Sequence, residues 1–321
     1  MTVTSERPVP RPTSAVASPS AAVVIPCWNA ENFVAGAIQS ALDQHYPSLE
    51  IIAIDDGSTD GSLDIIRSFA GVGWETGPNR GACIARNRGL ALTAAEYVLF
   101  LDADDYITPG SLDHWVKRAD GHDLVLGLFA YEYAGTRTST HQPHRSVDRR
   151  TILQNWLSGG FTPPCAVLWR RDFLHRIGAW HERSVRNDDG ELVVRALLAD
   201  ARVALADAGL GVYVQHNATG RVSKRTGRDL LVDTMEVYED LVGRPSPQFP
   251  DLTRTTLSHL YYQVSYEAFA GRLDDIGYQA LRKARDLGLR GHVGSLRHRM
   301  LAGILGLRMK LRVTGFLRGR A

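Results

Sequence analysis

Along the first two-thirds of the chain, short apolar runs alternate with segments whose apolar residues recur at helical spacing. Ala21-Ala22-Val23-Val24-Ile25 is apolar at every position, as a strand covered on both faces must be. Between Glu31 and Leu42 the positions Phe33, Val34, Ala37, Ile38 and Ala41 recur every three or four residues, which predicts an amphipathic helix. Leu49 to Ile54 predicts a second buried strand, and Ser62 to Phe69 a second helix with Asp60 placed to cap it. Val72-Gly73-Trp74 predicts a short third strand, and about Ala82 to Leu92 a third helix. A fourth strand, Glu96 to Leu101, follows. This β-α-β-α order predicts an α/β fold: a Rossmann-like, mainly parallel sheet flanked by helices. Ligands of such a sheet bind at the carboxyl ends of its strands.

The texture changes after about Lys224. Gly227–Val242, Asp251–Gly271, Leu273–Leu287 and Gly291–Leu311 all read as helices, and strand patterns stop. We therefore expect a catalytic domain over 21–223 and a helical C-terminal appendage over 224–321, basic at its end. Met1 to Ser20, rich in Pro, Ser and Thr and without an apolar core, reads as a disordered leader.

The fourth strand ends abruptly at Asp102, Asp104 and Asp105. A buried strand cannot hold unpaired carboxylates, so they belong where it emerges from the sheet. Alternation lets Asp102 and Asp104 face one cleft. No basic residue is adjacent to them in sequence, and a hard cation such as Mg²⁺ or Mn²⁺, itself holding a phosphate, would relieve their repulsion. The competing reading is an acidic turn that caps a helix starting near Pro109.

Neither a Gly-x-Gly-x-x-Gly turn after the first strand nor a Gly-x-x-x-x-Gly-Lys loop is present, which argues against dinucleotide oxidoreductases and P-loop enzymes. The first strand end instead offers Pro26, Trp28, Asn29 and Glu31, and the second Asp55-Asp56-Gly57-Ser58. Carboxylates accept from the N3–H of uracil and from ribose hydroxyls, so acidic strand ends suit a nucleoside.

In their order, VVIPCWNAENFVAGAIQSAL, EIIAIDDGSTDGSLDII, NRGACIARNRGLALTAAEYVLFLDADD, NDDGELVVRAL and YVQHNATGRVS resemble the motifs of the family 2 glycosyltransferases. These are inverting enzymes of the nucleotide-diphospho-sugar transferase (GT-A) fold. The resemblance runs from about Ala21 to Ser223. Trp28 stands where the family commonly has tyrosine, and Asp188-Asp189 where it usually has Glu-Asp.

The resemblance implies donor-nucleoside contacts from Pro26, Trp28, Glu31 and Asp56, with Arg86 also on the donor side. It implies Asp102 near the ribose and metal, Asp104 as the principal ligand of Mn²⁺ or Mg²⁺, His216 closing the metal site, and Asp189 as catalytic base. The reaction implied is metal-dependent inverting transfer from a nucleotide-diphosphate sugar, a UDP-sugar by preference, to a hydroxyl of a saccharide or glycolipid, as in polysaccharide or glycoconjugate biosynthesis. Some residues suit other roles equally. Asp55 could serve only the turn that follows it, Arg86 an acid on its own helix, and Asp188 and Asp189 a helix N-terminus whose dipole would keep their pKa low. A sugar-nucleotide pyrophosphorylase would share sheet and carboxylates but calls for a Gly-rich loop and a lysine after the first strand. A non-catalytic nucleotide-sugar-binding protein has no need of Asp104, Asp189 and His216 together.

Net charge is only +2, so nothing global suggests nucleic acid. Three widely spaced cysteines, Cys27, Cys83 and Cys165, give no metal-site spacing and point to a reducing, cytoplasmic setting. The stretch Ala130 to Pro164 reads as an acceptor-side loop. After Asp286 there is no acid, while Arg290, Arg297, Arg299, Arg308, Lys310, Arg312, Arg318 and Arg320 follow. Val293, Leu296, Met300, Ile304, Leu307 and Leu311 would share one face of a single helix. That face suits the inner surface of a membrane, a second subunit, or the catalytic domain.

Overall fold

The computed structural model describes residues 18–157, 160–184, 188–216, 227–242 and 250–318. Most of the expected leader, the polar run Asn217 to Ser223 and the expected boundary at Ser223 lie outside the described residues.

The chain falls into two compact units. The first opens with β1 (Ala21–Cys27), α1 (Val34–Leu42), β2 (Leu49–Asp55), α2 (Ser62–Ser68), β3 (Gly73–Thr76), α3 (Ala82–Leu92) and β4 (Tyr97–Phe100). These match the expected elements closely, because β1 and β4 are buried throughout and β2 over Ile51 to Asp55, while β3 at the sheet edge is half-buried. Helix α1 starts three residues late. Glu31 is held in the preceding turn, where its N–H donates to Asp60 and its carboxylate accepts from the N–H of Gly61. Asp60 does serve α2, accepting from the N–H of Ser62, although Gly61 occupies the capping position itself.

The unit continues with β5 (Tyr106–Ile107), α4 (Ser111–Arg118), β6 (Leu124–Tyr133), β7 (Thr136–Arg137), α5 (Arg149–Leu157), β8 (Val167–Arg170), α6 (Arg171–Ile177), α7 (Asp188–Leu198) and β9 (Val203–Gln215). The stretch Ala130 to Pro164 is thus not a loop: it holds the end of β6, all of β7 and α5.

The strands form one sheet in the order β3-β2-β1-β4-β8-β6-β9-β5, with β7 paired to β6. β1 to β4, β6 and β9 run one way; β5, β7 and β8 run the other. The sheet is mainly parallel, as expected. Chain order reverses beside β1, which pairs with both β2 and β4, so a crevice opens at the carboxyl ends of those three strands.

Two local features shape that edge. Pro26 sits inside β1 without cost: β4 pairs only with Ala21 to Val24, so on that side no acceptor waits for the missing N–H. Gly89 lets α3 lie directly on the sheet, since a Cβ there would fall 2.3 Å from a methyl of Val24.

The second unit contains α8 (Arg228–Val242), α9 (Pro250–Ala270), α10 (Asp274–Asp286), α11 (Leu296–Leu305) and α12 (Leu307–Arg318). The last expected helix is two. Gly306, at φ +75°, breaks it, and Leu307 turns inward to a buried position. No described helix is long and apolar enough to cross a membrane.

Candidate active site

The end of β4 is where alternation matters most. Over Leu101 to Ile107 the odd positions are buried and the even ones half-buried, so Asp102, Asp104 and Tyr106 line one side of the chain while Asp105 points inward. The acids do not cap the next helix: Gly110, in a left-handed conformation, precedes α4.

Asp104 meets His216 directly. Its Oδ2 lies 2.7 Å from Nε2 of that ring, which follows the last residue of β9. Phe33, expected in the core face of α1, instead lies flat on His216 at 4.7 Å and fixes its plane. Asp105 completes the placement from beneath. Its Oδ1 accepts the N–H of Val214, two residues before His216. Burial, with Asp104 and Asp102 nearby, pushes the Asp105 carboxyl well above the ordinary range. The sequence marked it only as one of three acids, although it bonds the backbone of β9 directly.

Asp102 is not left unneutralised, contrary to the expectation from its neighbours in sequence. The buried guanidinium of Arg86, on α3, donates to Asp102 at 2.6 Å and to Asp188, in the first turn of α7, at 2.5 Å. Arg86 also stacks on Trp180, 4.3 Å from its centroid. Asn87 pins the backbone of Trp180 from both sides, accepting from its N–H and donating to its carbonyl. Nothing in the sequence patterns marked Trp180. Arg86 therefore pairs with acids on two other elements, not with one on its own helix.

Helix α7 begins at Asp188, whose carboxylate bonds Arg86 and the thiol of Cys83. Asp189 lies beside it, half-buried. Burial and then the charge of Asp188 push its pKa up to about 7, against the pull of the Gly190 N–H and of Arg86. The expectation that the helix dipole would keep it low is overturned. Loss of water around a carboxylate, next to a second one, outweighs a half-charge at the helix end.

On the β1 and β2 side the residues hold one another. Asn29 accepts from Thr59, and its N–H donates to the Ser58 hydroxyl. Both oxygens of Asp55 are engaged, one by the Ser58 N–H and the other by the Thr76 hydroxyl. It serves the turn that follows it. Asp56, also buried, accepts from the backbone N–H groups of Arg80 and Gly81 ahead of α3. Pro26 is buried within β1, whereas Trp28 is 44 % exposed and offers an open ring face.

Among the described residues no group of three or more His, Cys, Asp and Glu side chains gathers as a complete metal cage. Asp104 and His216, one oxygen and one nitrogen donor already in contact, fit a divalent cation that takes its remaining ligands from phosphate and water. A cavity of about 860 Å³ adjoins this pair, walled by Gln39 and Ser40 of α1, Tyr106, and Glu132 and Arg137 of the β6–β7 hairpin.

Residues 22–178, which hold β1 to α6, match the model of glycosyl transferase family 2. Over this stretch the chain carries a glycosyl transferase family 2 domain. Among its relatives, an uncharacterized family glycosyltransferase of Haemophilus influenzae is 33 % identical over 144 residues, covering 42 % of this chain and 58 % of the relative. The Escherichia coli glycosyltransferase YibD is 40 % identical over 228 residues, 65 % of each chain. The succinoglycan biosynthesis protein ExoU of Rhizobium meliloti is 28 % identical over 248 residues, 70 % of this chain and 69 % of the relative. The chain thus spans about three-fifths to two-thirds of the length of these relatives. In fold it is similar to the crystal structure of S. aureus TarS 1–349 in complex with UDP-GlcNAc, at TM-score 0.59 and 17 % identity over 84 % of this chain and 89 % of that one. The GT-A fold expected of the family is the fold seen.

Proposed function

We propose that this protein transfers a sugar, with inversion, from a nucleotide-diphosphate donor, most suitably a UDP-sugar, to a hydroxyl of a saccharide or glycolipid acceptor. One observation supports the reading: Arg86 ties Asp102, past the end of β4, to Asp188, and Asp189, with its raised pKa, is the next residue of α7. The family 2 domain supports the reaction class, and the ligand of TarS shows that a domain of this fold can hold a UDP-sugar.

In this reading the donor's base stacks on Trp28, with Glu31 and Asp56 at the strand ends beside it. The turn-bonding Asn29 and Asp55 shape that cradle rather than reaching the base. A divalent cation, Mn²⁺ or Mg²⁺, held by Asp104 and His216 would supply positive charge to the diphosphate as it leaves. Asp189 takes the proton of the acceptor hydroxyl while the hydroxyl oxygen bonds the anomeric carbon and the bond from that carbon to the diphosphate oxygen breaks. The electron pair of the broken bond leaves with the nucleotide, and one displacement inverts the centre. A base near pKa 7 is matched to this task at neutral pH. The cavity between α1 and the β6–β7 hairpin is the acceptor-side space, bounded by Glu132 and Arg137.

Incubation with a panel of UDP-sugars and Mn²⁺ tests the proposal, with product masses as readout. Slow release of UDP without acceptor, and a transferred sugar with one, are expected. Binding of UDP with no turnover across the panel would favour the nucleotide-sugar-binding reading instead.

A further inference from the structure

Six exposed large apolar side chains crowd into 18 residues of the second unit: Leu296, Met300, Ile304, Leu305, Met309 and Val313. Leu296 and Ile304 are 70 % and 77 % exposed, so they leave to solvent nearly all the apolar surface such residues normally bury. Their arrangement is regular. On α11, Leu296, Met300 and Ile304 recur every four residues and form one stripe. At 100° per residue Arg297 falls on one side of that stripe and Arg299 on the other. On α12, Met309 and Val313 are again four apart, with Arg312 on one side and Lys310 on the other. Arg297, Arg299 and Arg312 are themselves exposed.

The two helices are seated from beneath. Ala302 and Leu307 are buried, and Asp274 at the start of α10 takes both Arg308 and Arg312 at 2.8 Å. The outward stripes are therefore a fixed surface feature rather than a core that failed to close. No acid follows Asp286 anywhere in the sequence, so α11 and α12 themselves carry only cations; Asp274 of α10 pairs Arg308 and Arg312, while Arg297 and Arg299 flank the α11 stripe.

From this we infer that α11 and α12 lie on an anionic lipid surface, their apolar stripes in the acyl boundary and their flanking cations among the phosphates. An apolar stripe edged by cations on both sides complements a layer whose apolar interior lies directly beneath negative headgroups. A second copy of the chain would bring the same cations against themselves. The helices lie on the membrane and do not cross it.

Flotation of the full-length protein with vesicles tests this. Phosphatidylcholine containing phosphatidylglycerol should carry the protein at about 50 mM salt and release most of it at about 500 mM. Phosphatidylcholine alone should carry little. Arg297→Gln with Arg299→Gln should lower the partition about 25-fold, since each cation near an anionic surface contributes about a 5-fold gain. Met300→Glu with Ile304→Glu should lower it at least as far. Both variants change exposed positions, so each should keep the wild-type thermal midpoint and UDP-dependent stabilisation. Three outcomes overturn the inference: no preference for anionic vesicles, wild-type binding by both variants, or a dimer dispersed by Met300→Glu with Ile304→Glu in a protein that binds no vesicle.

Discussion

Arg86 and Asp188 are 102 positions apart in the chain and 2.5 Å apart in the fold. The same guanidinium holds Asp102, so one buried cation joins α3, the end of β4 and the start of α7. Arginine suits this junction because its planar fork reaches the two acids with two separate nitrogens, Asp188 with one and Asp102 with the other, where a lysine has a single nitrogen. Helix α7 carries the proposed base, so the position of Asp189 depends on Arg86.

Replacing Arg86 tests that dependence. Arg86→Ala leaves two half-buried carboxylates facing each other and should destabilise the fold by about 3 kcal/mol, read as a lower urea midpoint at unchanged slope. Arg86→Lys keeps the charge but reaches only one acid. Transfer should fall at least tenfold while the urea midpoint moves less than in Arg86→Ala. Wild-type turnover by Arg86→Lys would show that the junction does not position the base.

The neighbouring aspartates should separate by mechanism. Asp188→Asn weakens the bond from Arg86 and should cost both stability and activity, more than a capping residue would. Asp189→Asn keeps its shape but cannot take a proton, so transfer should fall roughly 10²–10⁴-fold with UDP affinity unchanged. Isothermal titration with UDP and a transfer assay on both variants give the comparison. Loss of UDP binding in Asp189→Asn would make it a donor residue rather than a base.

What the sequence disclosed follows from range. The strands β1 and β4, and Ile51 to Ile54 of β2, are apolar runs, and such runs are local. So is the alternation that turned Asp102 and Asp104 to one side. The motifs that resembled the family marked Arg86, His216 and Asp189 one by one, but the contacts among them span about a hundred residues and carry no local pattern. Trp180 under Arg86 and Phe33 on His216 are of that kind. The low pKa expected for Asp189 failed for a related reason. A helix dipole can be read from sequence, whereas burial and the mutual approach of carboxylates depend on the assembled fold. Likewise Ala130 to Pro164 looked irregular because the end of β6 that it holds is completed by pairing with the distant β9 and with β7.

The raised pKa of Asp189 gives a pH dependence of known sign. Its carboxyl binds a proton more tightly in the folded state, near 7, than in the unfolded chain, near the ordinary value of 3.8. The stability linked to that proton is complete below about pH 4 and is lost as pH rises through 7. Asp189→Asn should therefore be more stable than wild type at pH 8, with the difference shrinking toward pH 4. In the wild type, transfer should rise with pH through about 7 as the base loses its proton. Urea melts at several pH values and a rate profile check both limbs. An Asp189→Asn variant whose stability follows wild type at every pH would remove the carboxyl from this account.

Asp104 and His216 should act together on the nucleotide's diphosphate and not on its base. Asp104→Ala removes the oxygen donor 2.7 Å from the ring, and His216→Ala removes the ring that Phe33 holds in place. A small divalent cation binds weakly to one protein ligand and takes much of its coordination from phosphate oxygens. Mn²⁺ should therefore raise the thermal midpoint of wild type strongly only when UDP is present, and uridine, which lacks the diphosphate, should not replace UDP. In Asp104→Ala and in His216→Ala the Mn²⁺-dependent part of the UDP shift should disappear. The part that UDP produces without metal should remain, because Trp28 and the β1 and β2 strand ends are untouched. If either variant keeps the full Mn²⁺ response, the cation is held elsewhere and the pairing of Asp104 with His216 is structural.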